Sequence, residues 1–141
     1  MIGLALILFF TLGIVAIIDW KFLSIPSIFL TGILFVTATA NFYFYGINVI
    51  GFGVLSLIIS LLLYESDFIG GVADIKVITI IGLMIPSIQY FMIFLVLLLF
   101  FGIFYKSIFL FILKRSPEEK VPFIPCLYSI YLVMFFIGGL L

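Results

Sequence analysis

Long apolar blocks dominate this chain, separated by short clusters of Pro, Gly, Asn and charged residues. Six blocks stand out: Ile2 to Ile18, Ile28 to Tyr45, Ile47 to Tyr64, Asp74 to Ile85, Ile88 to Tyr105, and Phe123 to Leu141. Most approach the roughly 20 residues that carry a helix across a hydrocarbon core. The pattern predicts an all-α, polytopic membrane protein with six transmembrane helices in a single domain over residues 1–141. The fourth block is short, with twelve residues before Pro86. Either its helix runs on through the proline as a kinked rod, or its polar start is recessed in the membrane, which would place Asp74 in a water-reached cavity within the bundle.

The connections differ in character, and the contrast predicts a topology. Those at Gly46 and at Pro86 to Ser87 are tiny and uncharged, whereas Asp19 to Ser27, Glu65 to Ala73 and Lys106 to Pro122 carry the charges. With six crossings the three charged connections share one face. Lys21, Lys76, Lys106, Lys114, Arg115 and Lys120 lie in them or within a turn of them, so the positive-inside rule makes that face cytoplasmic and puts both termini outside. The expected location is the cell membrane, multi-pass, with the working face on the cytoplasmic side. The chain opens Met-Ile-Gly-Leu-Ala without the cationic start of a secretory signal, so the first block is read as a retained helix. The polar run Lys114 to Val121 reads as a solvated loop.

Composition sharpens this picture by exclusion. Of the 141 residues, 67% are apolar and 9% charged, and the mean hydropathy is +1.60, which leaves too little polar surface to clothe a water-soluble domain. Six basic and six acidic residues cancel, so nothing favours nucleic acid as a partner. There is no His, which removes the commonest metal ligand and the imidazole base. Cys126 stands alone, without a partner for a disulfide or a CxxC site, and reads as a small wall residue. No metal and no cofactor are expected. The many Phe and Tyr read as lipid-facing and interfacial residues, and Gly51-x-Gly53 and Gly138-Gly139 as helix-packing surfaces.

Two acids interrupt the apolar blocks. Asp74 lies in Ile69-Gly-Gly-Val-Ala-Asp74-Ile-Lys76, where a loop meets a helix. Gly70 and Gly71 lack Cβ atoms and would let another chain approach, and free amides with the macrodipole at a helix start favour an anion. The plain alternative is an N-capping aspartate after a glycine turn. Asp19 lies in Ile17-Ile-Asp19-Trp-Lys21, at the end of the first helix, where the macrodipole opposes an anion. Its plain alternative is an interfacial acid paired with Lys21. Together the two offer opposite environments on one face, the contrast that divides an acid from a base. Asp74 is therefore expected to be the ionised base and Asp19 the acid. Lys76 projects to another side of its helix and reads as an interfacial anchor able to tune the pair.

These residues resemble the GxGD signature of intramembrane aspartyl proteases, most closely the prepilin peptidase and archaeal preflagellin peptidase family. In that family an Asp ending the first helix pairs with the GxGD Asp opening the fourth, positions that Asp19 and Asp74 match. Gly70, Gly71 and Ala73 supply the motif's backbone, with Ala73 where the pattern has Gly. Asp19, Lys21 and Ile25-Pro26-Ser27 are similar to the family's Asp, basic residue and Ile-Pro-Asn, with Ser27 in place of Asn. Val121-Pro122-Phe-Ile-Pro125 resembles the Pro-Phe-x-Pro opening of the last helix. The resemblance covers most of the chain and implies an aspartic endopeptidase that removes a short basic leader from pilin-like or archaellin-like precursors. It implies no methyltransferase activity, because the cysteine-bearing cytoplasmic domain of bifunctional members is lacking. Glu65 and Asp67, in the same loop as Asp74, would hold the leader's Lys and Arg by charge complementarity, or would simply be solvated.

Two other classes compete. An ion- or proton-coupled transporter subunit would also carry acids in helices, but it needs a polar route across the membrane, and no charge falls on the outer half. No internal repeat is evident to support it. A small assembly or scaffold subunit would leave Asp19 and Asp74 too far apart to cooperate.

Overall fold

All blocks but the last lack an internal proline, and a helix satisfies its own amides, as hydrocarbon requires. The computed structural model describes residues 2–114 and 121–138, apart from the side chains of residues 48 and 49. Among these residues it is all-helical: α1 (Ile2–Phe22), α2 (Ser27–Tyr45), α3 (Ile47–Glu65), α4 (Val72–Leu83), α5 (Ile88–Ser107), a π-helical turn at Ile108–Ile112, and α6 (Ile124–Phe136). Each helix falls on one of the six apolar blocks. Residues 115–120, with Arg115, Lys120 and most of the polar run, lie outside the described residues, as do 139–141 with Gly139.

Three helical segments are long and apolar enough to cross a membrane: Ile2–Phe22, Ser27–Tyr45 and Ile88–Ile112. Their outward faces match that solvent. On α1, Ile7, Phe10, Ile14 and Ile17 are exposed at helical spacing, and on α5 Val96, Phe100 and Ile103 are too. Among the described residues α4 and α6, with 12 and 13 residues, are shorter than the six expected crossings require, while α3 has 19, as many as α2.

The short fourth helix settles one of the two alternatives. It does not continue through Pro86 as a kinked rod, because it stops at Leu83 with Met84 as its C-cap. The residue before a proline is pushed out of helical geometry, so the chain leaves the helix before Pro86. Twelve residues rise about 18 Å, well short of the bilayer core. Nine of the twelve are buried, since α4 packs against α2, α3 and α6. α6 in turn holds α1 on one side and α5 on the other.

Close packing of α3 on α4 depends on two reciprocal notches. Leu83 occupies the space that a Cβ on Gly53 would need, and Ser56 occupies that of Gly82. Gly82→Val should therefore force α3 outward at a cost of about 1–3 kcal/mol. Thermal denaturation of the purified protein reads this directly, and an unchanged melting curve would contradict the packing. At Gly51 and Gly138 no helix packs so closely within the chain: a Cβ at either would meet nothing within 4 Å, and Gly138 takes a φ of 76° just beyond α6. That is the left-handed turn with which helices commonly end.

Candidate active site

Asp19 owes its position to the helical register of α1. Ala5, Leu8, Leu12, Val15, Ala16 and Asp19 form the buried stripe of that helix, so the acid shares the face that packs on α6. It is only 9% exposed. The Ile124 backbone N–H, at the first turn of α6, donates to Asp19 Oδ2 at 3.1 Å. Pro122 and Pro125 flank that turn and help to start the helix there, leaving its early amides without partners inside α6.

Asp74 sits in the first turn of α4, two residues beyond its opening Val72, and is 5% exposed. It is not the N-cap, a position held by Gly71. Its carboxylate faces back toward the amides of Gly71 and Gly70, in the manner of an acid in the first turn that reaches the start of its own helix. Asp19 lies within electrostatic reach of it. The two acids are thus both buried and within electrostatic reach of one another, Asp19 near the end of α1 against the start of α6 and Asp74 at the start of α4. Cys126 is buried within reach of Asp74, and Tyr105 within reach of Asp19. The Tyr105 hydroxyl donates to the Pro122 carbonyl at 2.8 Å and so ties α5 to the segment that opens α6.

This arrangement changes the electrostatic contrast expected between the acids. Asp19 does lie at the C-terminal end of α1, but it also faces the N-terminal amides of α6. Each carboxylate therefore has a helix start beside it, and helix ends alone no longer separate an acid from a base.

The two glycines need no left-handed backbone. Gly71 is extended (φ −158°), a conformation open to any residue, and neither it nor Gly70 has a positive φ. A Cβ at Gly70 would meet open space, while one at Gly71 would come 3.8 Å from Asp74 Oδ2. Ala73 is half-buried behind them. Glu65 ends α3 and is exposed, and Asp67 is exposed in the loop with a φ of 56°. The Lys106 ammonium donates to the Asp67 carbonyl at 2.5 Å and stands 5.3 Å from the Phe68 ring centre. Lys76 leaves α4 on another side from Asp74, as expected, and its ammonium hydrogen-bonds to Ser27 and Thr31 of α2.

No protein-family model, curated protein or solved structure matches this chain. The site's own residues are what bear on its chemistry. Among the described residues no group of three or more His, Cys, Asp or Glu is assembled for a metal ion. Two buried carboxylates within reach of one another, held by amides among apolar walls, can divide acid and base work between them.

Several contributors carry only a weak signal in the sequence. The Ile124 amide is one, although two prolines flanking an apolar start mark a helix terminus with free donors. Phe68 is another: its ring fills the space beside Gly102 of α5 and packs edge-on against Phe123 at a centroid separation of 6.1 Å. Phe68 therefore joins the loop before Asp74 to the residue preceding Ile124. A lone glycine within an apolar helix was the available signal.

Proposed function

We propose that this protein is a membrane aspartyl endopeptidase of the prepilin and preflagellin peptidase type, with Asp19 and Asp74 as its catalytic pair. The observation that carries the reading is that two buried acids, from distant stretches of chain, lie within electrostatic reach of one another. In the proposed reaction the pair holds one proton. The ionised carboxylate takes a proton from water, whose oxygen attacks the carbonyl carbon of the scissile peptide. The protonated carboxyl supports the developing oxyanion, and collapse breaks the C–N bond as the departing amine gains a proton.

The substrate class is a precursor with a short basic leader ahead of an apolar helix. In support, the exposed Glu65 and Asp67 flank the loop before Asp74, where charge attraction could retain the leader's Lys and Arg. The same reading puts the six helices across the cell membrane with this end in the cytoplasm. Purified protein incubated with a pilin-like precursor should yield a product shortened by the leader, read by mass spectrometry. A precursor whose leader Lys and Arg are replaced by Gln should be cut more slowly. Absence of any cleavage in lipid, with the basic precursor in excess, would sink the peptidase assignment.

A further inference from the structure

Two residues turn an α-helix by about 200°, so Asp74 and Lys76 leave α4 on nearly opposite sides. Asp74 faces the Gly70 and Gly71 amides with Asp19 within electrostatic reach, and Lys76 points toward α2. The Lys76 ammonium donates to the Ser27 carbonyl at 2.9 Å, to Thr31 Oγ1 at 2.7 Å, and to Ser27 Oγ. Ser27 opens α2, and Thr31 lies one turn further on. An ammonium has three protons to donate, and three oxygens receive them here. The start of a helix repels a cation through its macrodipole, so these oxygens, and not the helix end, account for the placement.

At the other end of α4, Asn41 of α2 donates from Nδ2 to the Leu83 carbonyl at 2.7 Å. α4 is thus pinned to α2 by a polar contact at each end. Ile75, Val77, Ile78, Ile80 and Ile81 between them are buried aliphatic residues that supply packing but no directional polar contact.

We propose that Lys76 is a positioning residue: by gripping the first turn of α2, it sets the height and rotation of the α4 start and so holds Asp74 against Asp19. The proposal rests on the peptidase reading of the two acids. Lys76→Met removes the donors while keeping an unbranched side chain, and the paired change Ser27→Ala with Thr31→Val removes two acceptors while keeping the cation. Both should lower kcat about tenfold or more, since small misplacements of reacting groups are costly, with KM within about twofold. Ser27→Ala with Thr31→Val should leave the pH profile in place, and adding it to Lys76→Met should cost little further, because all three side chains act through one contact. Lys76→Arg, which keeps several donors, should recover most of the rate.

An activity-independent reading comes from Cys126, the chain's single cysteine, which is buried in α6 within electrostatic reach of Asp74. Maleimide should label it faster in Lys76→Met than in the unaltered protein, as the α4 start loosens. Cleavage at the normal rate in Lys76→Met, or unchanged Cys126 labelling, would overturn the proposal. If the unaltered protein cleaves nothing, the peptidase reading fails, while the labelling still decides whether Lys76 holds α4.

Discussion

Asp19→Asn and Asp74→Asn are each expected to stop leader cleavage, lowering kcat by about 10⁴-fold, the upper range for loss of a general acid or base. Asn matches Asp in shape and keeps a carbonyl oxygen. The amide side chain in Asp19→Asn could therefore still accept the Ile124 N–H, and that in Asp74→Asn the amides of Gly70 and Gly71. What disappears is the ability to exchange a proton. Each variant should reach the membrane in normal amount and melt near the normal temperature while leaving the precursor whole. Processing by either variant at more than about a tenth of the normal rate would dismiss the pair, since that loss is too small for an acid–base group.

Gly102→Leu is the second change with a large expected effect, and it acts without touching either acid. The Phe68 ring lies where a Cβ on Gly102 would sit, and Phe123 closes the same pocket from its other side. A leucine side chain would expel the ring, shifting the loop that carries Gly70 and Gly71 together with Phe123, whose neighbour Ile124 holds Asp19. Both carboxylates would be displaced at once. A displacement of about 1 Å justifies an expected fall of about 10²-fold in kcat. Phe68→Ala added to Gly102→Leu should restore part of the rate, because the leucine then fills the space the ring has left. Full activity in Gly102→Leu would mean that the aromatic contact does not position the site.

Much of the fold is legible in the amino-acid sequence. Six apolar blocks became six helices, with differences at their ends: α1 runs on to Phe22, and α5 passes into a π-helical turn at Ile108–Ile112. The elements were readable because a continuous apolar run broken by Pro, Gly and charge has few alternatives to a helix. The fourth block was harder. Its composition allowed a longer kinked rod, and only the backbone path before Pro86 shows that it stops.

The site was legible in part for a different reason. An acid within an apolar block stands out whatever its partners, so Asp19 and Asp74 could be singled out. The position of Lys76, two residues after Asp74, tells which side of α4 it leaves from, but not that Ser27 and Thr31 meet it there. The roles expected from helix ends were likewise drawn from α1 and α4 alone, before α6 brought its own amides to Asp19.

By itself the sequence determined where the helices lie and which two acids are out of place in them, because hydropathy and chain-breaking residues act locally. Which face of each helix turns inward was decided only in three dimensions. On α1 the inward stripe Ala5, Leu8, Leu12 and Val15 and the outward stripe Ile7, Phe10, Ile14 and Ile17 are equally apolar, so no amphipathic pattern marks the inside. Packing against α6 made that choice, and with it turned Asp19 toward Asp74 instead of toward lipid.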